Sequence, residues 1–554
     1  MRGREVFMQS LVAHGVRHIF GNPGTTENPL LDSLVDYPSI DYVVHLHEGI
    51  AVCAASYYAR ATGSTPVVSL HAAPGLGNGI GMIYNALKAN APMVVTAGQQ
   101  DTRMLRREPV LSHDLAAMAE PVTKWSTQLQ CADEIDEVMR RAFKIANDPP
   151  CGPVFVALPI DVMEQQTDNG SIAPGRLYRE AAPDARALAD TCAMIKAARA
   201  PVIVVGDEVA RAGATTDLIR IAERIGAPVW LERSRGHLSF PTSHPHARGG
   251  VSFDAATNRE TFADADLVLL LGGAFFEDLW FTPGSPFPKG ARVVQIESSA
   301  RPLAYRNAVD VGLVAGMGAA LRALDAAIAA ETDDAWRAAA RGRCAQFAVL
   351  KSQEIAAYQA RLEKAWARVP ASMPRAMAEV RKGTPANAVL VEEAITARTD
   401  LEAAFQIDAP DQYLAARGGG IGQGLAGAIG ASIAHPGRPI LCVSGDGSAM
   451  YSIPALWTAT HHDLPIVFVI LANREYRVLK QNLDVYRQRF DALSNKPYPQ
   501  MDLNEPAFGF VEMAAGAGMT GVRVSQPDEI AGAIEQAFAS KAPRLVEIEI
   551  ERMK

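Results

Sequence analysis

The chain has 554 residues, 48% hydrophobic and 21% charged, and carries a net charge of −8 from 53 basic and 61 acidic side chains. That length calls for about three domains, and the composition excludes a disordered or fibrous chain. The acidic balance offers no footprint for nucleic acid, and the apolar runs fall short of the roughly 18 residues that suggest a membrane span. In chain order, "VVHLHEGIAVCAA" (43–55) passes from a strand-like run to an Ala-rich helical one, with Glu48 at the changeover. Burying an ionised carboxylate costs several kcal/mol, roughly, so Glu48 is either at the surface or paired, protonated or employed. "PVVSLHAAPG" (66–75), "APMVVTAGQQ" (91–100) and "GPVFVALPID" (152–161) read as strands of a parallel sheet buried on both faces. A polar, turn-rich linker spans 164–182. A second α/β block follows, with strands expected in "APVIVVGD", "APVWLER", "ADLVLLLGG" and "ARVVQIE". A helical stretch runs from about 330 to 369. The last block brings "NAVLVEEA", "RPILCVSGDG", "LPIVFVILAN" and "PRLVEIEIE". The fold class is therefore α/β, with three doubly wound parallel-sheet domains at 1–165, 183–330 and 370–554.

Six cysteines lie scattered, with no CxxC pair and no zinc spacing, and read as thiols of a reducing compartment. The amino-terminal segment lacks the uninterrupted apolar core of a secretory signal, so a cytoplasmic protein is expected. The central block has no G-x-G-x-x-G, which gives no case for a tightly bound dinucleotide.

The chemistry gathers in the last block. "PILCVS" runs into "GDGSAM" (445–450), and a second strand then runs into "ANREY" (472–476). Ligands of open α/β sheets sit beyond the carboxyl ends of the strands, so Asp446 and Asn473 are expected to converge. A carboxylate and an amide oxygen are hard ligands for Mg²⁺ or Ca²⁺, and the glycines flanking Asp446 let backbone N–H groups approach a phosphate. The pattern describes a site for a metal-chelated diphosphate, the alternative being a tight turn at each strand end.

On GDG followed by Asn473, the sequence resembles the thiamine-diphosphate-dependent enzymes. "FGNPGTTENP" (20–29), "HEGIAV" (47–52), "HAAPGLGNGIG" (71–81), "VVTAGQQ" (94–100), "GGGIGQGLAGAIG" (418–430) and "GDGSAMYSIPALWTA" (445–459) resemble, in order, the benzoylformate decarboxylase branch of that family. The resemblance implies pyrimidine-binding, central and diphosphate-binding domains, in that order. It implies that thiamine diphosphate and Mg²⁺ are the cofactors, with the metal on the side chains of Asp446 and Asn473 and on the backbone carbonyl of Glu475. Gly447, Ser448 and Tyr476 would surround the diphosphate, and Thr396 would add a hydroxyl to it. Ile421 would be the bulky residue over which the cofactor bends, with Gly419 contacting its pyrimidine. Glu48 would meet the pyrimidine ring nitrogen, His71 would move a proton after CO₂ loss, and Thr25 would face the substrate carboxylate.

The resemblance further implies a homodimer at minimum, with a homotetramer expected, whose cofactor binds across subunits. The substrate would be a 2-oxo acid or an aldehyde. The expected reaction is non-oxidative decarboxylation of a 2-oxo acid. A carboligase or lyase acting on 2-hydroxy ketones, or a catalytically inactive cofactor-binding subunit, are the alternatives. Three positions depart from the pattern. Leu279 falls where the decarboxylase has a second histidine, Ala472 replaces the first residue of an Asn pair, and Ala415 replaces a pocket aromatic, with Val478 and Asn482 lining another side. Arg477 and Lys480 read as a solvated helix face or, alternatively, as attractors of an anionic substrate.

Overall fold

Three six-stranded sheets organise the protein, in a computed structural model that describes residues 1–492, 494 and 496–553. The first holds β1 (His18–Gly21), β2 (Asp41–Val44), β3 (Val67–Leu70), β4 (Met93–Gln99), β5 (Ser126–Gln128) and β6 (Pro153–Pro159), in the order β2-β1-β3-β4-β6-β5. Its pairings are parallel. Strands β3, β4 and β6 are buried along their whole length, as helices on both faces require.

The second sheet holds β7 (Pro201–Val205), β8 (Val229–Leu231), β9 (Ala247–Gly250), β10 (Leu267–Leu271), β11 (Arg292–Glu297) and β12 (Val311–Val314), in the order β12-β11-β10-β7-β8-β9. The strand order reverses between β7 and β10, where a doubly wound sheet opens its ligand crevice. Here the chain fills that crevice itself. The Glu232 carboxylate accepts the N–H groups of Asp207 and Ala274, each at 2.9 Å, and a Cβ on Gly206 would lie 2.3 Å from Gly273 Cα.

The third sheet holds β13 (Val389–Glu393), β14 (Tyr413–Ala415), β15 (Ile440–Gly445), β16 (Ile466–Ala472), β17 (Thr520–Val524) and β18 (Arg544–Glu549), in the order β14-β13-β15-β16-β18-β17. Counted within its own sheet, this is the strand order of the first, so two layers repeat one topology without a repeated sequence. Residues 168–184 contain neither helix nor strand, and the long helix spans Asp334–Ala365.

The chain forms two compact units. Met1–Arg176, Ala365–Ala404 and the chain from Leu414 onward make one, and Leu177–Lys364 with Phe405–Tyr413 make the other. Within the first unit, helix Glu48–Thr62 packs on helix Gln423–Ala434, each following the second strand of its sheet. The contact is backbone-close: a Cβ on Gly430 would lie 1.9 Å from the Ala54 carbonyl oxygen, so no side chain fits there. Phe20, Tyr57, Leu70, Leu425, Ile429 and Phe468 belong to one apolar core shared by the two layers.

His45 is fully buried beside that core, its ring stacked on Phe20 at 6.0 Å and near His462, with both ring nitrogens unpartnered. Burial, with His462 adding to it, lowers its pKa to about 3. The unfolded chain binds this proton below pH ~6.5 and the folded chain does not until near its lowered pKa, so acid favours unfolding across that window. Between pH 7 and pH 5 this group is expected to remove about 2 kcal/mol of stability. Urea unfolding midpoints compared over that range should show this loss in the wild type and not in His45→Phe.

Candidate active site

Two clusters of chemically capable residues form, one at the strand ends of the first sheet and one at those of the third. In the first, β2 ends at Val44, and helix Glu48–Thr62 begins after His47, whose Nδ1 accepts the Gly49 N–H at 3.0 Å. Glu48 is 6% exposed, so its carboxylate is not at the surface, and its side-chain partners are amides. Asn22 Nδ2 donates to Oε1 at 3.2 Å and Asn78 Nδ2 to Oε2 at 3.0 Å. Those amides satisfy the lone pairs that burial would otherwise leave bare.

His71 follows β3, and the next residue, Ala72, is held at φ 49°, a left-handed conformation uncommon for a residue with a Cβ. His71 Nδ1 lies 2.8 Å from Glu27 Oε2 and 3.2 Å from Thr26 Oγ1. The other oxygen of the buried Glu27 accepts the Gly98 N–H at 2.9 Å and the Thr26 hydroxyl at 2.8 Å. A carboxylate partner places the proton on Nδ1 and leaves Nε2 free to exchange one. The loop closes tightly here, since a Cβ on Gly24 would lie 2.0 Å from that Nδ1.

Thr25 is exposed, and its neighbour Thr26 is the hydroxyl that reaches the ring. Glu27 was not singled out from the sequence, although it stands inside "NPGTTENP", two residues after Thr25. Glu27→Gln is expected to keep the bond from Gly98 while losing control of the His71 tautomer. It should lower kcat by about 10² with little change in KM, read from steady-state rates.

The second cluster lines a cleft at the carboxyl ends of β15 and β16, paired in register up to Gly445 and Leu471. Asp446, Asn473, Glu475, Gly447, Ser448, Tyr476 and Thr396 all line it, and so does Val478. Asp446 Oδ1 accepts the Gly447 N–H at 2.8 Å, and Oδ2 accepts the Arg474 N–H at 2.6 Å from the neighbouring strand end. Burial raises the Asp446 pKa to about 6 against these bonds, and among the described residues no basic side chain pairs with it. Gly419 and Ile421 are not among the cleft-lining residues. They lie in the loop before helix Gln423–Ala434, where Asn85 accepts the Gly420 N–H at 3.1 Å. The sequence reading also passed over Glu393. Its fully buried carboxylate accepts the N–H groups of Gly422, Gln423 and Gly424 at 2.7 to 2.9 Å, tying that loop to the cleft it lines.

One expectation is corrected. Arg477 and Lys480 are not a solvated face. Lys480 is 6% exposed and bonds Glu475 at 2.7 Å and Asp502 at 2.8 Å, while Arg477 bonds Glu475 at 3.1 Å. Ala415 is fully buried in β14, and its carbonyl accepts from Arg60 at 3.0 Å.

The donor set fits a diphosphate carried by a divalent cation. Among the described residues Arg477 is the one basic residue lining the cleft, and its guanidinium is committed to Glu475 and the Glu551 carbonyl. Among the described residues that line the cleft, no basic side chain is left to neutralise a diphosphate beside Asp446. Carboxylate, amide and backbone oxygens together suit a hard cation that supplies the missing charge.

Comparison with known proteins agrees with this chemistry. Residues 1–119, 188–324 and 396–548 match, respectively, the N-terminal TPP binding domain, the central domain and the C-terminal TPP binding domain of thiamine pyrophosphate enzymes. The chain is 31% identical to a benzoylformate decarboxylase of Pseudomonas aeruginosa, over 97% of this chain and 96% of that one. It is 26% identical to an acetolactate synthase isozyme 3 large subunit of Escherichia coli, over 99% and 94%. Among solved structures, a thiamine diphosphate-dependent 4-hydroxybenzoylformate decarboxylase of Rhodococcus jostii RHA1 superposes with a TM-score of 0.86 at 29% identity, covering 100% of both chains. The chain belongs to the thiamine-diphosphate-dependent enzymes, in the group that contains these decarboxylases and acetolactate synthases. Thiamine diphosphate is its cofactor. No helix among the described residues is long and apolar enough to cross a membrane.

Proposed function

We propose that this enzyme removes CO₂ non-oxidatively from a 2-oxo acid of the benzoylformate type and releases the aldehyde. The observation that carries this reading is the built setting of its two proton-handling groups, Glu48 between two amides and His71 on Glu27. When bound, thiamine diphosphate supplies the nucleophilic carbon and the electron sink. The protein's part is to hold, dehydrate and exchange protons. Asp446, Asn473 and the Glu475 carbonyl would hold Mg²⁺, with Gly447, Ser448, Tyr476 and Thr396 around the diphosphate. Glu48 would face the pyrimidine, with Gly419 and Ile421 beside it, and His71 Nε2 would deliver a proton to the product. Thr25 would meet the substrate carboxylate.

Among the described residues the cleft is lined from within 373–550, and Glu48 and His71 bond residues within 22–98. We therefore assign the complete site to two copies of the chain, in a homodimer or a homotetramer built from it. The proposed domains are pyrimidine-binding (1–165), central (183–330) and diphosphate-binding (370–554). Six free cysteines suit a cytoplasmic setting.

Leu279 favours a second reading. An apolar side chain where the decarboxylase has a histidine leaves the aldehyde-releasing proton relay incomplete, which would let a carboligase pass the carbon unit to a second carbonyl. The test is incubation of the protein, thiamine diphosphate and Mg²⁺ with benzoylformate, pyruvate and branched 2-oxo acids, with and without an aldehyde acceptor. Aldehyde alone supports the decarboxylase and a ketol supports the carboligase. Cofactor binding without turnover of any of them overturns both.

A further inference from the structure

The Glu475 side chain has a setting that its proposed role as a backbone ligand does not require. Its carboxylate has no exposed surface. Oε1 accepts from Arg477 Nε at 3.1 Å and from the Met553 backbone N–H at 2.7 Å, and Oε2 accepts from Lys480 Nζ at 2.7 Å. Both cations continue outward. Arg477 also donates to the Glu551 carbonyl, and Lys480 donates to Asp502 Oδ1, the oxygen that also accepts from Arg552. The loop itself is pinned along its backbone: Tyr476 N–H donates to the Met501 carbonyl at 2.8 Å, and Leu503 N–H to the Arg474 carbonyl at 2.8 Å. The segment after β18 is also tied to β16, the Ile550 N–H reaching the Ala472 carbonyl at 3.2 Å.

We propose that Glu475 is a positioning residue whose buried side chain latches the metal loop to the segment 551–553, so that docking of this segment sets the metal affinity of the cleft. The physical reason is that residue 475 presents two groups in opposite service. Its side chain is clamped on the side of Arg477, Lys480 and Met553, and that clamp leaves its carbonyl little freedom at the cleft. Releasing the clamp leaves the backbone between Asn473 and Tyr476 held by the Arg474 carbonyl and Tyr476 N–H bonds without the side-chain anchor, and the Arg474 N–H that orients Asp446 belongs to the same stretch. This inference rests on the assignment of the cleft to Mg²⁺ and thiamine diphosphate.

The test uses the full chain and two substitutions that act on one bond from opposite ends. Met553→Pro deletes the backbone donor, Met553→Ala retains it, and Glu475→Gln removes the charge while keeping the shape. The readout is the Mg²⁺ concentration that half-saturates thiamine diphosphate binding, followed by fluorescence quenching, together with kcat at excess Mg²⁺. Outer hydrogen-bond partners of metal ligands are worth tenfold to a hundredfold, roughly, in metal affinity. Met553→Pro and Glu475→Gln should therefore raise the half-saturating Mg²⁺ about tenfold or more, with kcat recovered by excess metal, and Met553→Ala should stay within about twofold. Unchanged Mg²⁺ dependence in Met553→Pro overturns the latch even if Glu475→Gln fails to fold. Wild-type protein that binds no thiamine diphosphate at any Mg²⁺ concentration overturns the cofactor assignment of the cleft instead.

Discussion

Glu48→Gln is expected to lower kcat by about 10³ while the protein stays folded and still binds thiamine diphosphate. Glutamine has the same shape, and its carbonyl oxygen still accepts from one of the amides of Asn22 or Asn78, which now lie 3.2 and 3.0 Å from the two carboxylate oxygens. What it loses is the ionisable oxygen that, in the proposed role, would exchange a proton with the cofactor ring. The second amide then faces an N–H₂ group unless it flips, a stability cost of about 1 kcal/mol. Steady-state rates with calorimetric binding of the cofactor check both halves. A variant within fivefold of wild type, roughly, would remove Glu48 from the chemistry, since general acid–base groups contribute far more.

Asp446→Asn is expected to weaken Mg²⁺ binding more than 100-fold, roughly, and thiamine diphosphate binding with it. No orientation of an amide satisfies this position, because one oxygen accepts from Gly447 N–H and the other from Arg474 N–H, and the new N–H₂ must oppose one of them. Among the described residues the other two carboxylates of the cleft are already engaged, that of Glu475 by Arg477, Lys480 and Met553 and that of Glu393 by the N–H groups of Gly422, Gln423 and Gly424. Titrating thiamine diphosphate at fixed Mg²⁺ should saturate wild type and leave the variant unsaturated. Equal binding curves would detach the cation from Asp446.

Much of the fold is legible in the sequence because a strand buried on both faces needs a continuous apolar run. β4, β6, β10, β15 and β16 all show one and were all expected. The strands not anticipated are β1, β5, β9, β12, β14 and β17, and all of them but β1 stand at sheet edges. One side of such a strand has no partner strand, and β17 has four of its five residues outside the core, so no apolar run marks it. The convergence of Asp446 and Asn473 was legible because two adjacent parallel strands must end side by side. Glu27, Asn22 and Asn78 were not, because they act through contacts between segments separated in the chain. Arg477 and Lys480 misled for a related reason: their spacing on helix Arg477–Arg489 suggests a solvated face, but the buried partner Glu475 precedes the helix and Asp502 arrives from a later loop.

The proposed division of each site between two copies of the chain is tested most directly by mixing inactive variants. Glu48→Gln and Asp446→Asn proteins, dissociated and reassociated together, should regain about a quarter of wild-type turnover, since half of a random pairing is hybrid and each hybrid holds one intact site. Hybrids that form and remain inactive would contradict a site shared between subunits.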